Sequence, residues 1–246
     1  MTHELVRPGE KKIGTQAYPL AVAEHPLAQA LYARGAREVV FGRNETIFDQ
    51  GDAAEKLHLV TSGRFALKKR AEDGRLVTLA LAGPGDIIGW DGLTPARSYS
   101  TAALGEKNGS VVPFSSSVAE QLIVNGDDLS RLISRSLIDT LAEAELSQDM
   151  MKHGDIPHRI ALAVWKYSPY ARREVTPRGD VWHLGGIASH DQIAQAAGTT
   201  REEVNKRGLD FLEDKGITTK GARGDVKIIN VEGLTKLAHT NIGKFN

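Results

Sequence analysis

"SHDQIAQAAGTTREEVNKRGLDFLEDKGI", residues Ser189 to Ile217, reads as two short helices with a tight break between them. Ser189 and Gln192 form a Ser-x-x-Gln capping box, which satisfies the free N–H groups of a helix start. Ile193, Ala194 and Ala197 supply its inner face. Gly198 ends it, because glycine tolerates the left-handed conformation that a sharp break needs. Thr200 with Glu203 opens the second helix by the same box, so Arg201 and Glu202 project from its N-terminal end, with Lys206 one turn on. A small residue (Ala194), a turn glycine and a buried branched residue (Val204) are spaced as in a helix-turn-helix, where two helices cross closely.

That arrangement suits base reading. An arginine fork matches the O6 and N7 acceptors of guanine, and a glutamate accepts from cytosine N4. Lys206 offers a donor on the same face without the fork. Capped helix starts also leave backbone N–H groups for phosphates. The plainer reading is a charged first turn, in which Glu202 and Glu203 complement the helix dipole. The residues downstream favour DNA: "GITTKGARGDVKIIN" is a hairpin whose turn holds Lys220, Gly221, Arg223 and Gly224, and a helix starts near Val231. Helix, helix, hairpin is the order of a winged helix-turn-helix. One position departs from it. A typical recognition helix carries an apolar residue where Gly208 stands, and glycine there costs about 1 kcal/mol against alanine. Either Phe211 fills the gap, or a local bulge turns Leu209 inward.

Upstream the texture differs. Glycines recur at 51, 63, 74 and 85, and between them lie short segments such as "REVVF", "ETIFDQ", "KLHLV", "RFALKK", "LVTLALA" and "DIIGW". Short strands at that spacing predict an antiparallel sandwich or roll. The Lys68-Lys69-Arg70 run reads as a solvated strand end. Before the roll, His25 to Arg34 has helical spacing, and residues 1–24 read as an irregular arm. "SSSVAEQLI" closes the roll with a capping box at Ser117 and Glu120. A helix is predicted from about Asp127 to His153, which at 1.5 Å per residue spans about 40 Å. Its apolar stripe packs either on a second copy of itself or within its own chain. "HGD" and Pro157 end it. The predicted division is an arm (1–24), a β-roll (25–124), a long helix (125–154) and a winged helix-turn-helix (155–246). Between Pro157 and the capped helix pair lie a helix "HRIALAVWKYS", a polar loop at 170–180 and a short strand "VWHL". The fold class is α+β.

The totals agree with this plan. The 246 residues suffice for one large or two small domains, and 41% are hydrophobic. There is no cysteine, which excludes disulfides, thiolate zinc sites and cysteine-held iron–sulfur clusters. The polar start and the lack of a long apolar run predict a cytoplasmic protein with no membrane partner. Net charge is zero, which argues mildly against nucleic acid, yet residues 155–246 hold 14 Lys+Arg against 11 Asp+Glu.

A glycine-punctuated roll, a long helix and a winged helix-turn-helix together resemble the cyclic-AMP receptor protein / fumarate–nitrate regulator family of bacterial transcription regulators. The matching pieces are "IFDQGDAAEKLHLVTSGRFAL", "GPGDIIG", "HRIALAVW", "DQIAQAAGTTREEV" and "VKIINVEGLTKLA", and the resemblance covers roughly residues 25–240. It implies a homodimer with a sensor roll and a domain that binds a near-palindromic site on double-stranded DNA, usually contacting RNA polymerase. By position, Arg201, Glu202 and Lys206 are the base readers. Ser189, His190 and Thr200 are phosphate contacts, joined by Lys220 and Arg223 of the hairpin. The implied effector site comprises Gly89, Trp90, Arg97, Ser98, Ala144 and Glu145. The family's cyclic-AMP pocket has a glutamate where Trp90 stands and hydroxyls where Ala144 and Glu145 stand. Arg97-Ser98 reads either as its phosphate-binding pair or as a surface turn after Pro95. The effector, if one exists, is therefore left unknown by the sequence.

Two rival readings stand beside this one. A cupin-type enzyme would need clustered His and carboxylate ligands. His58 stands alone in the roll and reads as a strand residue, and no Gly-x-Ser-x-Gly, Walker or paired-histidine motif occurs. The expectation is a non-enzyme without metal. The other rival is a regulator that needs no small ligand, with Trp90 filling the nucleotide pocket.

Overall fold

In the computed structural model, residues 25–239 are described except 71–73, 75, 126, 127 and 178, and of Arg223 only the backbone. The arm expected at 1–24 lies outside the described residues. α1 (Pro26–Ala33) starts on a proline and buries Leu27, Ala28 and Leu31. Then come β1 (Val39–Phe41), β2 (Thr46–Phe48), β3 (Lys56–Arg70), β4 (Leu76–Ala82), β5 (Ile87–Ile88) and β6 (Ala102–Ser115). They form an antiparallel sheet in the order β1-β6-β3-β4, with β2 also on β6 and β5 also on β3.

Gly63, a turn by its spacing, is instead a bulge inside one 15-residue strand. Its φ is +76°, and an added Cβ would lie 2.4 Å from the Asn108 carbonyl of β6, so two backbones approach at a point that admits no side chain. The β3–β6 register shifts on both sides of it, which bends the pair into a roll. The long strand β6 does not stand out in the sequence, because Gly105, Gly109 and its charged residues mask its alternation.

Two apolar clusters fill this part. One joins Leu57, Leu59, Ile87, Val112 and Phe114 to the helices through Leu27, Leu31, Leu122 and Ile133. The other lies within the roll, around Phe48, Val60, Phe65, Ile88, Tyr99 and Val111. α2 (Ser116–Val124) is capped by Ser115, whose Oγ accepts from Val118 N–H at 3.3 Å, two residues before the cap expected at Ser117.

α3 (Asp128–His153) uses two faces. On one, Ile133 is buried, Ser136 Oγ accepts from Ile87 N–H (3.0 Å) and Glu143 accepts from Leu81 N–H (3.1 Å). At about 100° per residue, Ile138 and Leu141 point away from Ser136 and Glu143, and they are 50% and 58% exposed. The helix therefore packs on its own chain and still presents an apolar edge. The chain divides into two compact units between Glu143 and Ala144, inside this helix rather than at its end.

The second unit is built on α4 (Ile156–Tyr167), capped by Asp155 and buried throughout from Ile160 to Tyr167. β7 (Arg172–Thr176) and β8 (Gly179–His183) come next as a hairpin. The polar loop expected at 170–180 is thus mostly strand. Its charges are paired across the hairpin, Arg173 to Asp180, with the guanidinium 5.4 Å from the Trp182 ring centre. Beyond it lie α5 (His190–Ala197), α6 (Arg201–Glu203), a π-turn (Val204–Leu209) and α7 (Asp210–Asp214). β9 (Thr218–Lys220), β10 (Val226–Ile228) and α8 (Val231–His239) end the described chain, and the sheet order is β7-β8-β10-β9.

Candidate nucleic-acid interface

The capping box at Ser189 is complete: its Oγ accepts from Gln192 N–H at 3.2 Å, and Gln192 Oε1 accepts from Ser189 N–H at 2.9 Å. Gly198 ends α5 at φ +59° and ψ +40°. The second box is only half made. Thr200 Oγ1 accepts from Glu203 N–H at 3.3 Å, but the Glu203 carboxylate takes the Thr199 hydroxyl instead of reaching back to Thr200.

The Gly208 departure resolves as a bulge. The π-turn adds a residue to one turn, so Val204, Gly208 and Leu209 are all buried while Phe211 is half-buried against His158. A Cβ on Gly208 would stand 2.3 Å from Ile160 Cδ1 of α4, so the apolar residue expected there has no room. The same wide turn leaves Asn205, Lys206 and Arg207 exposed in succession, beside exposed Arg201 and Glu202.

Among the described residues, the exposed cations Arg201, Lys206, Arg207 and Lys220 meet carboxylates. Arg201 lies 3.3 Å from Asp191, Lys206 2.6 Å from Glu202 and Arg207 3.6 Å from Glu203. Lys220 lies 2.6 Å from Asp210 and 3.4 Å from Glu213, and these hydrogen bonds raise its pKa. Exposed pairs of this kind contribute little to stability. They pre-orient the cations yet exchange readily for bases or phosphates. The pairs at Glu202–Lys206 and Glu203–Arg207 are open to reading from i,i+4 spacing. Asp191 beside Arg201 is not, because the two lie on different helices.

Between the π-turn and the hairpin is a groove of about 370 Å³, lined in part by His190, Asn205, Lys206, Lys220 and Gly224. His190 keeps a buried Nε2 with no hydrogen-bond partner among the described residues. Ser189 and Thr200 stand at the two helix starts. Arg223 belongs to the tight turn Ala222–Gly224 at the hairpin tip.

The implied effector residues are arranged otherwise than the resemblance suggests. Gly89 has φ +85°, and an added Cβ would lie 2.9 Å from the Lys56 carbonyl. Trp90 starts a short 3-10 helix and packs into the cluster shared with α1 and α2, not into the roll cluster. The roll cluster holds instead a Phe48–Tyr99 stack with ring centres 3.8 Å apart, and Tyr99 OH donates to the Lys56 carbonyl at 2.6 Å. Trp90 thus lies outside the roll cluster. Arg97 is exposed and pairs with Glu120 at 3.4 Å, and Ser98 Oγ donates to the Gly51 carbonyl at 3.1 Å. Ala144 is half-buried on α3 and Glu145 exposed. His58 is a buried β3 residue, and burial, then Lys56, lowers its pKa to about 4. Among the described residues no group of three or more His, Cys, Asp or Glu could hold a metal ion, and no helix is long and apolar enough to cross a membrane.

Comparison with known proteins agrees with this architecture. The cyclic nucleotide-binding domain family matches residues 38–125. A CRP-like cAMP-activated global transcriptional regulator of Mycobacterium tuberculosis is 26% identical, over 87% of this chain and 93% of the relative. A cyclic AMP receptor protein of Thermus thermophilus is 27% identical, over 89% of this chain and 94% of its own length. Among solved structures, FixK2 from Bradyrhizobium japonicum shares the fold with a TM-score of 0.62 at 23% identity, covering 82% of this chain and 96% of that one. Residues 38–125 thus match a cyclic nucleotide-binding domain, and the chain along most of its length is similar to CRP-like transcription regulators.

Proposed function

We propose that this protein regulates transcription by binding a near-palindromic DNA site as a homodimer, with RNA polymerase as its protein partner. The reading surface carries the proposal: Arg201, Glu202 and Lys206 stand exposed at the start of a capped helix, beside a groove bordered by the basic hairpin. Such a helix start enters the major groove and the hairpin meets the backbone. Arg201, Glu202 and Lys206 read bases. Ser189, His190, Thr200, Lys220 and Arg223 contact phosphates.

Selection from a palindromic DNA library, followed by binding at fixed salt, tests this. Arg201→Ala should lose discrimination at one G·C pair, by about 1–3 kcal/mol. Arg223→Ala should weaken binding to all sequences alike and flatten the salt dependence by about one counterion. Equal loss on every sequence from both changes refutes base reading by Arg201.

A second reading concerns the effector. The residues at the implied cyclic-nucleotide positions do not fit that ligand as the resemblance would hold it. Trp90 offers no acceptor for a ribose hydroxyl where the resemblance places one. Glu145 adds a carboxylate where an anion would need a hydroxyl. This favours a regulator whose DNA-competent state needs no cyclic nucleotide. The library selection should then enrich the same two-half-site motif with and without cyclic AMP. Enrichment only with the nucleotide would restore the ligand-driven reading.

A further inference from the structure

The second unit contains a histidine held by carboxylates on both ring nitrogens. His183, at the end of β8, is 7% exposed. Its Nε2 lies 2.7 Å from Glu174 of β7, and its Nδ1 lies 2.9 Å from Asp225, which leads the hairpin into β10. Asp225 also accepts from Gly185 N–H at 2.5 Å, and its own carbonyl accepts from Gly221 N–H at 2.8 Å, closing the turn after Lys220. Glycines on both sides grip it: an added Cβ on Gly185 or Gly221 would stand 2.8 Å from Asp225 atoms. One imidazole thereby ties β7, β8, the entry to α5 and the hairpin tip.

A neutral imidazole carries one N–H and can donate to one carboxylate only; the cation donates to both. We propose that His183 positions the wing as a proton-dependent clamp, so that DNA affinity falls when its second proton is lost. The inference rests on the DNA-binding reading above. Besides Glu174 and Asp225, the charged groups across from His183 are Arg172 on β7 and Lys227 on β10, each in register with it. The clamp turns on the imidazole's second N–H. Losing its proton sets a lone pair against a carboxylate. Glu174, with its side chain 52% exposed, swings to water, while Asp225, 16% exposed, stays with less charge to balance it. The wing loosens and one positive charge is lost beside the phosphates.

The test is DNA affinity against pH, at fixed salt, for wild type, His183→Gln and Glu174→Gln. His190 is present in all three proteins, so its contribution cancels. Wild type should lose about tenfold more affinity than His183→Gln from mildly acidic to mildly alkaline pH, the scale of one charge-assisted hydrogen bond. The loss should be equal on the selected site and on random duplex, because the wing meets phosphates. Glu174→Gln is the informative variant: its amide can donate to the neutral nitrogen, so tight binding should persist at alkaline pH. Parallel pH profiles in all three proteins overturn the clamp. Independently of DNA, exchange of the Gly185 amide should quicken as His183 loses its proton, tracked by NMR of the imidazole nitrogens. A Gly185 amide indifferent to that proton also overturns the clamp, whereas absence of DNA binding with the amide response intact would refute only the DNA reading.

Discussion

In the proposed homodimer, replacing Ile138 and Leu141 together by aspartate should release single chains. Both side chains are at least half exposed within the chain and share one side of α3, turned away from Ser136 and Glu143. Burying an aliphatic side chain of this size is worth about 1.5–3 kcal/mol. A dimer would contain each residue twice, and the aspartates would face like charges. Association should weaken by more than about 1000-fold. Sedimentation should then show a single-chain species, with secondary structure retained because neither residue supports its own unit. Affinity for a two-half-site duplex should drop to that of one half-site. A variant that stays dimeric would place the interface elsewhere.

The second large effect concerns Gly208. Sequence reasoning alone expects Gly208→Leu to stabilise, since glycine is a poor helix former and related helices carry an apolar residue there. The structure predicts the reverse. The first added carbon would meet Ile160 at 2.3 Å, and Ile160 is fully buried on α4. Overpacking of this kind costs about 3 kcal/mol, outweighing the propensity gain. Denaturant unfolding monitored through Trp165 and Trp182 should show the loss, and DNA affinity should fall because the π-turn that presents Asn205, Lys206 and Arg207 is displaced. Ile160→Ala in the same chain should recover part of both. Stabilisation by Gly208→Leu alone would mean that the π-turn relaxes to a regular helix.

The features legible in the sequence are local. Ser189 with Gln192, Gly198 as a left-handed cap and the apolar spacing of α3 involve residues within a few positions of one another, where side-chain chemistry acts on its own backbone. The exposure of Arg201 and Glu202 comes from the cap in the same way, whereas that of Lys206 comes with the π-turn. Sequence and structure part where a distant partner decides. Gly63 reads as a turn until Asn108 and Gly109 of β6 are set against it. Residues 172–176 read as loop because the charges of "RREVT" are matched only across the hairpin, by Asp180 and Trp182.

By itself, then, the sequence determined where most helices start to within about two residues, the apolar face of the long helix, and that a capped helix pair precedes a basic hairpin. The tertiary structure decided which of two cores receives Trp90, that Gly208 is a close approach rather than a defect, that Asp191 meets Arg201, and that His183 gathers Glu174 and Asp225. The reason is range. Caps and periodicity depend on neighbours along the chain, whereas packing and cross-strand charge pairs depend on residues about ten to sixty positions apart, brought together only by folding.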